Sequence, residues 1–542
     1  MIAMPRRERD LPLRVERPSL TNALAVFALV TGLPGAAGAT QPNADLVCEA
    51  PAAALDKYHL LRALSLDLRG ELPSEVEYAA LDEVDGDEVP EALVDDWLAS
   101  DAFVERAVRL HRDLLWNSLD NVTLVNPRGI IRQTGGVWYR SGTQAIFYRG
   151  GNVRCSDAPA EYADDGTVVA WPQPDGTRRE GWVELAPFWA PATLIKACAF
   201  DAQDAALSPS GTTCASNAGL SDADCGCGPA LRNCMPTGAA NQTITRAMGE
   251  DLERRVRDVI AGDGSYLELF TSRTAWVNGP LVHYWRHLRA FPRMTMDPAP
   301  LEVDRLPDLT WEQADTWVPV EMGPEQAGLL TSPAYLLRFQ TNRARANRFY
   351  NAFLCQPFNA PSGGLPVASA AAQVEPDLQV RDGCDYCHAV LEPAAAHWGR
   401  WGERGATFLS PETTPAFDPS CELCATTGIP CSSRCRTFYV TDVLDDKAEP
   451  YVGWMNAYLF RRPEHEAFVE DGPTYLVYKT VVDGRFPACV ARTAAERLLG
   501  RDVAADEQPW LDGLAQRFVA SGYRYRDVVR AVVMNPAYRR VR

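Results

Sequence analysis

The chain has 542 residues, with 53 Lys and Arg against 71 Asp and Glu, a formal charge of −18 at pH 7. That balance sets it against nucleic-acid phosphates and anionic membrane surfaces. Fourteen Trp and 46% hydrophobic residues exclude a disordered chain, and the length predicts roughly two to four domains.

Residues 1–39 read as a signal peptide. Arg6, Arg7, Arg9, Arg14 and Arg17 precede an apolar stretch from Leu20 to Val30, and Ala37-Gly38-Ala39 gives the small-x-small pattern of a signal-peptidase site. Removing this segment takes away five Arg and three acidic residues, leaving a charge of about −20. Arg6-Arg7 hints at twin-arginine export, but the residues that follow fit that motif poorly, so the general secretory route is preferred. No later apolar run approaches the length of a membrane span, so no integral membrane segment is expected after signal removal.

An N-terminal helical domain is expected over 50–125. There Leu93, Trp97 and Leu98, then Phe103, Ala107, Val108, Leu110, Leu114 and Leu115, recur at spacings of three and four. Ser74 is the expected N-cap after the break at Gly70 to Pro73. Residues 126–240 change to short β-like runs such as Gln144–Tyr148 and Thr167–Trp171, broken by Gly, Pro and Asp. We read a Cys-rich irregular or β insertion there. A second helical domain is expected over 241–358, starting at Ile244 with Thr243 or Thr245 as cap. A Pro/Gly/Ala-rich linker at 359–371 leads to a domain over 372–490, and 491–542 reads as two C-terminal helices.

Fifteen Cys are many for a reducing cytoplasm and natural for an oxidising compartment. Six lie within 155–234 and four within 421–435, even counts that predict local disulfide frameworks. Cys48, Cys355 and Cys489 stand apart, so at least one of them stays unpaired within the chain.

The remaining two belong to Cys384-Asp385-Tyr386-Cys387-His388. This is the attachment signature of c-type haem: two thiols form thioethers to the porphyrin vinyls, and the adjacent His supplies the proximal iron ligand. The competing reading is a disulfide or half of a zinc site. Cys421-Glu422-Leu423-Cys424 has the same spacing without the His and earns only that reading. His283 and Met455 are the candidate distal ligands; His397 lies too close along the chain to His388 to reach the opposite face. His283 and His287, four apart on one helix face, are also a candidate metal pair, although a polar helix edge explains them better. Arg400 and Arg404, with Trp398 and Trp401, are candidates to pair with propionates and cover the ring, or else form a solvated face. No nucleophile elbow, P-loop, dinucleotide fingerprint or second haem motif is present, which argues against a hydrolase, a nucleotide enzyme or a di-haem peroxidase.

Five blocks together resemble the domains of unknown function associated with planctomycete-type cytochrome c proteins. Arg62 to Pro73 is similar to that family's "RLSLDLTGxxP" opening, Ala275 to Tyr284 to its "xxFVNERLAxHY", and Ala327 to Ser332 to its "GLLT". Cys384 to His388 with Glu392-Pro393 resembles "CxxCHxxxDP", and Ala488-Cys489 through Gly500-Arg501 resembles "FAxC…LGR". The family's "GFALExFD" is replaced by Ala394–Trp401, and the Cys-rich insertion is extra. The resemblance implies an exported, mainly helical protein with a cytochrome c-like element, and no substrate.

The expectation is a mainly α, multi-domain protein with a cytochrome c-like haem element and disulfide-rich irregular or β insertions. It would carry one covalent haem c and pass electrons to a redox partner protein in the periplasm or at the cell surface. The alternatives are an exported scaffold with structural haem or none, and a haem oxidoreductase with an open iron site.

Overall fold

The computed structural model describes residues 54–540 except 141–148, 150–152, 223, 237–238, 290–301, 360–363, 365–374 and 444. The expected signal peptide, Cys48 and the run Gln144–Tyr148 therefore lie outside the described residues.

Local signals set the first helices. The Asp56 carboxylate accepts from the backbone N–H groups of Tyr58 and His59 and starts α1 (Lys57–Leu68). Ser74, the expected cap, forms a capping box with Glu77 at the head of α2 (Glu75–Asp82). After α3 (Glu91–Leu98), α4 (Asp101–Leu115) buries Phe103, Val104, Ala107, Val108, His111 and Leu115 along one stripe. That stripe packs on α5 (Ala239–Ala261). α5 begins earlier than expected, because the Thr243 and Thr245 hydroxyls bond carbonyls of Ala239 and Gln242 inside the helix instead of capping it.

The insertion is a small five-stranded sheet, ordered β5-β6-β2-β1-β7. β1 (Ile130–Thr134) and β2 (Val137–Arg140) form a hairpin whose two-residue loop, Gly135-Gly136, takes positive φ at both positions. β5 (Trp182–Leu185), β6 (Ile195–Cys198) and β7 (Met235–Pro236) complete the sheet. The expected run at Thr167–Trp171 contributes Val168, in an isolated antiparallel bridge to Tyr162, and Trp171, in the two-residue pair β3 (Trp171–Pro172) and β4 (Arg178–Arg179). Disulfides Cys155–Cys198, Cys214–Cys225 and Cys227–Cys234 staple this region, within the cluster where the even count places them.

α6 (Glu268–Thr271) leads to β8 (Thr274–Val277), which pairs with β9 (Val318–Glu321), and α7 (Gly279–His283) follows β8. A Cβ at Gly279 would lie 1.8 Å from the Thr310 carbonyl oxygen, and one at Gly328, where φ is +53°, 2.0 Å from that of Leu269. Both glycines therefore mark close backbone crossings. α8 (Pro333–Arg338), α9 (Asn342–Leu354) and α10 (Asp385–Ala396) come next, and α11 (Pro419–Thr427) and α12 (Ser433–Phe438) carry the second Cys cluster. α13 (Pro463–Val482), α14 (Arg485–Leu499), α15 (Gln508–Ala520) and α16 (Tyr525–Val533) close the chain.

Among the described residues the protein is mainly α, with sixteen α-helices. One hydrophobic core runs from Leu60 to Tyr538. His111 of α4 bonds the Tyr266 hydroxyl and lies edge-on against Tyr525 of α16, so segments expected as separate helical domains meet at one point. The boundaries drawn between 50–125, 241–358 and 491–542 do not separate cores. Cys355 at the end of α9 pairs with Cys489 in α14, tying the expected 241–358 domain covalently to the expected 372–490 domain. No helix of the described residues is long and apolar enough to cross a membrane.

Candidate functional site

The Cys-x-x-Cys-His run forms the first turn of α10. Gly383, with φ at +79°, turns the chain, and the N–H groups of Cys384 and Asp385 both donate to the Arg381 carbonyl at 2.9 Å. Asp385 in the first turn favours the helix N-terminus. Cys387 N–H and His388 N–H then donate to the Cys384 carbonyl, at 3.2 and 3.0 Å. One turn thus places residues i, i+3 and i+4 on a single face. Cys384 and Cys387 are free, half-buried thiols; every other described cysteine is in a disulfide. Tyr386 and Val390, 56% and 46% exposed, lie beside them at the surface.

His388 is fixed from behind. Its Nδ1 lies 2.7 Å from Oε1 of Glu392, one helical turn on. A carboxylate oxygen only accepts, so Nδ1 carries a proton and donates it to Glu392, and Nε2 is the ring nitrogen that this bond leaves unengaged. Glu392 is fully buried, with Arg343 Nε on Oε1 and Arg461 Nη1 on Oε2. Burial pushes its pKa up, but the Arg461 charge and the bonds from Arg343 and His388 outweigh that and hold it below the ordinary carboxylate range. The sequence placed Glu392 only inside a resembled block. The signal that finds it is its spacing of four from His388 on a helix. Arg343 and Arg461 carry no such signal, since tertiary packing alone brings them in.

The other candidates sit in packing of their own. His283 stacks on Phe188 with ring centroids 3.7 Å apart, and its Nε2 lies 3.1 Å from the Arg232 carbonyl oxygen, which fixes the proton on Nε2. Desolvation lowers its pKa to about 3 and that of His287 to about 4. Their rings are 5.0 Å apart, and no third His, Cys or carboxylate joins them among the described residues. Met455 is buried, with its Sδ 3.2 Å from Arg400 Nη1. His397 is buried against Phe468, with Nδ1 on the Gly472 carbonyl at 2.9 Å. Arg400 is committed to Glu470 and to the Thr414 carbonyl, and the Trp398 indole donates to the Leu330 carbonyl inside the core. These two side chains therefore belong to the fold, whereas Arg404 is exposed.

The second Cys cluster forms Cys421–Cys435 and Cys424–Cys431, not a zinc site. Cys421 and Cys424, at the spacing of the haem motif, each pair outside it.

No family model, curated protein or solved structure matches this chain.

Proposed function

We propose that the protein is an exported monohaem c-type cytochrome that passes single electrons to a redox partner protein. In this reading Cys384 and Cys387 form thioethers to haem c and His388 Nε2 is the proximal iron ligand. The observation that carries it is the pair of free thiols in one helical turn with a histidine whose other nitrogen is already fixed by a buried carboxylate. Six disulfides among the described residues show that the remaining thiols bond wherever partners allow, and these two do not bond each other. The same disulfides support an oxidising compartment, as does the arginine-led apolar segment at the start of the sequence.

When bound, haem supplies a one-electron couple. The chain's own residues would set its character. Glu392 makes His388 a more basic ligand, which favours the oxidised state. The exposure of Tyr386 and Val390 beside the thiols supports an attachment edge open to a partner.

His283 Nε2 on the Arg232 carbonyl and Met455 Sδ against Arg400 favour a second reading, a haem oxidoreductase in which Cys384, Cys387 and His388 would hold a haem with an open iron site. The test is production in a host with haem-maturation machinery, followed by acid–acetone extraction. Colour that stays on the polypeptide, and is lost in the Cys384→Ser/Cys387→Ser protein, is expected; extractable colour or none rejects the assignment. A low-spin spectrum then supports electron transfer, and a high-spin spectrum with peroxide reactivity supports the second reading.

A further inference from the structure

We propose that a cavity behind the Glu392 cluster binds a small carboxylate-bearing organic anion. It measures about 460 Å³ and lies between the start of α9, the 401–405 loop and residues 455–461. That size is within the range of small-molecule sites and larger than a single inorganic ion requires.

Its chemistry is cationic in an acidic chain. Arg343, Arg404 and Arg461 line it, and Glu403 is the one acidic residue in the lining. Arg343 and Arg461 share a single carboxylate, Glu392, so their positive charge is only half offset. Arg404 has no ion pair among the described residues, and it holds φ at +57°, a conformation in which a long side chain is strained. Arg461 is 7% exposed, yet its Nε–H has no acceptor among the described residues. A buried guanidinium nitrogen without an acceptor is costly, and an anion in the cavity would supply one.

The walls are preorganised. The fully buried Arg345 guanidinium donates to the carbonyls of Trp401, Gly402 and Gly405 at 2.9–3.0 Å, which fixes the loop that carries Arg404. Glu403 accepts from the Asn342 N–H at 2.9 Å. Trp401, Phe438 and Phe460 give the lining an aromatic part, which suits an organic acid better than a bare oxyanion. A planar guanidinium fork pairs bidentately with a carboxylate, the anionic group this proposal assigns to the site.

Two sources supply this chemistry: a free organic acid, or the propionates of a haem held at Cys384 and Cys387. The second depends on the proposed function; the site itself does not. Calorimetric titration with succinate separates them. Binding to both the haem-loaded protein and the Cys384→Ser/Cys387→Ser protein supports a free acid; binding only to the latter supports propionates as occupants. If no haem is ever attached, the two proteins behave alike and the site still binds. Arg404→Gln, at an exposed side chain, should keep the wild-type melting temperature and weaken succinate about tenfold. No binding to either protein, or equal affinity in Arg404→Gln, overturns the proposal.

Discussion

Two buried residues carry electrostatic consequences beyond their own contacts. Glu392 is the shared acceptor of His388, Arg343 and Arg461. Glu392→Gln leaves Arg461 buried without its carboxylate, so unfolding free energy should fall by about 3 kcal/mol in denaturant titration, with or without haem. In a haem-loaded protein the same change weakens the basicity of His388 and should raise the midpoint potential, by about 59 mV for each tenfold shift between oxidation states. An unchanged stability would contradict the buried cluster. His111 has the opposite character. Its Nδ1 lies 2.8 Å from the Ala107 carbonyl and its Nε2 2.7 Å from the Tyr266 hydroxyl, so the ring is held neutral, and desolvation lowers its pKa to about 4. The unfolded chain takes up this proton near pH 6.5 and the folded chain only near 4. Stability is therefore fully present above 6.5 and falls as pH drops through that window, by about 1.4 kcal/mol per unit. His111→Gln should be less stable at pH 7 but lose less between pH 6.5 and 4, as measured by denaturant titration at each pH. Parallel slopes for the two proteins would refute this.

At the scale of elements, α10 joins the motif to the core. Its first turn is half-exposed at Cys384 and Cys387, while Leu391, Glu392 and Ala394 to Ala396 are buried. The thiols are thus accessible on a rigid base. α9 supports it twice, through Arg343 on Glu392 and through Arg345 on the 401–405 loop. α9 is in turn held by Cys355–Cys489, which bridges 134 residues to α14. Loop-closure entropy for that span is worth up to about 5 kcal/mol, and measured losses usually run lower. The double change Cys355→Ala/Cys489→Ala should lower the melting temperature clearly more than removal of Cys424–Cys431, which closes only 7 residues. Equal shifts would mean that the long bridge does not restrain the unfolded chain. Helices with a regular stripe or a capping box, such as α4 and α2, were legible in the sequence because the signal is local. The start of α5 was not, since the hydroxyls of Thr243 and Thr245, the apparent caps, bond carbonyls of the preceding turn inside a helix that begins at Ala239.

Across the whole molecule, local cysteine arithmetic anticipated the two disulfide clusters, but the pairing of Cys355 with Cys489 needed the tertiary fold. The separate helical domains expected from changes in texture dissolve into one core, because long-range contacts such as His111 with Tyr266 leave no mark on periodicity. The motif itself was legible in five residues; its supporting cluster was not, because Arg343 and Arg461 lie 49 and 69 residues from Glu392 in sequence. In the proposed function Cys384 and Cys387 are held for haem, while the other described cysteines are in disulfides. The most direct measurement is the intact mass of the denatured protein, unreduced, after production with haem-maturation machinery. The expected mass is greater than that of the polypeptide by one haem, with the added mass on the peptide containing residues 384–388. A mass equal to that of the polypeptide alone, or a Cys384–Cys387 disulfide in that peptide, would contradict it.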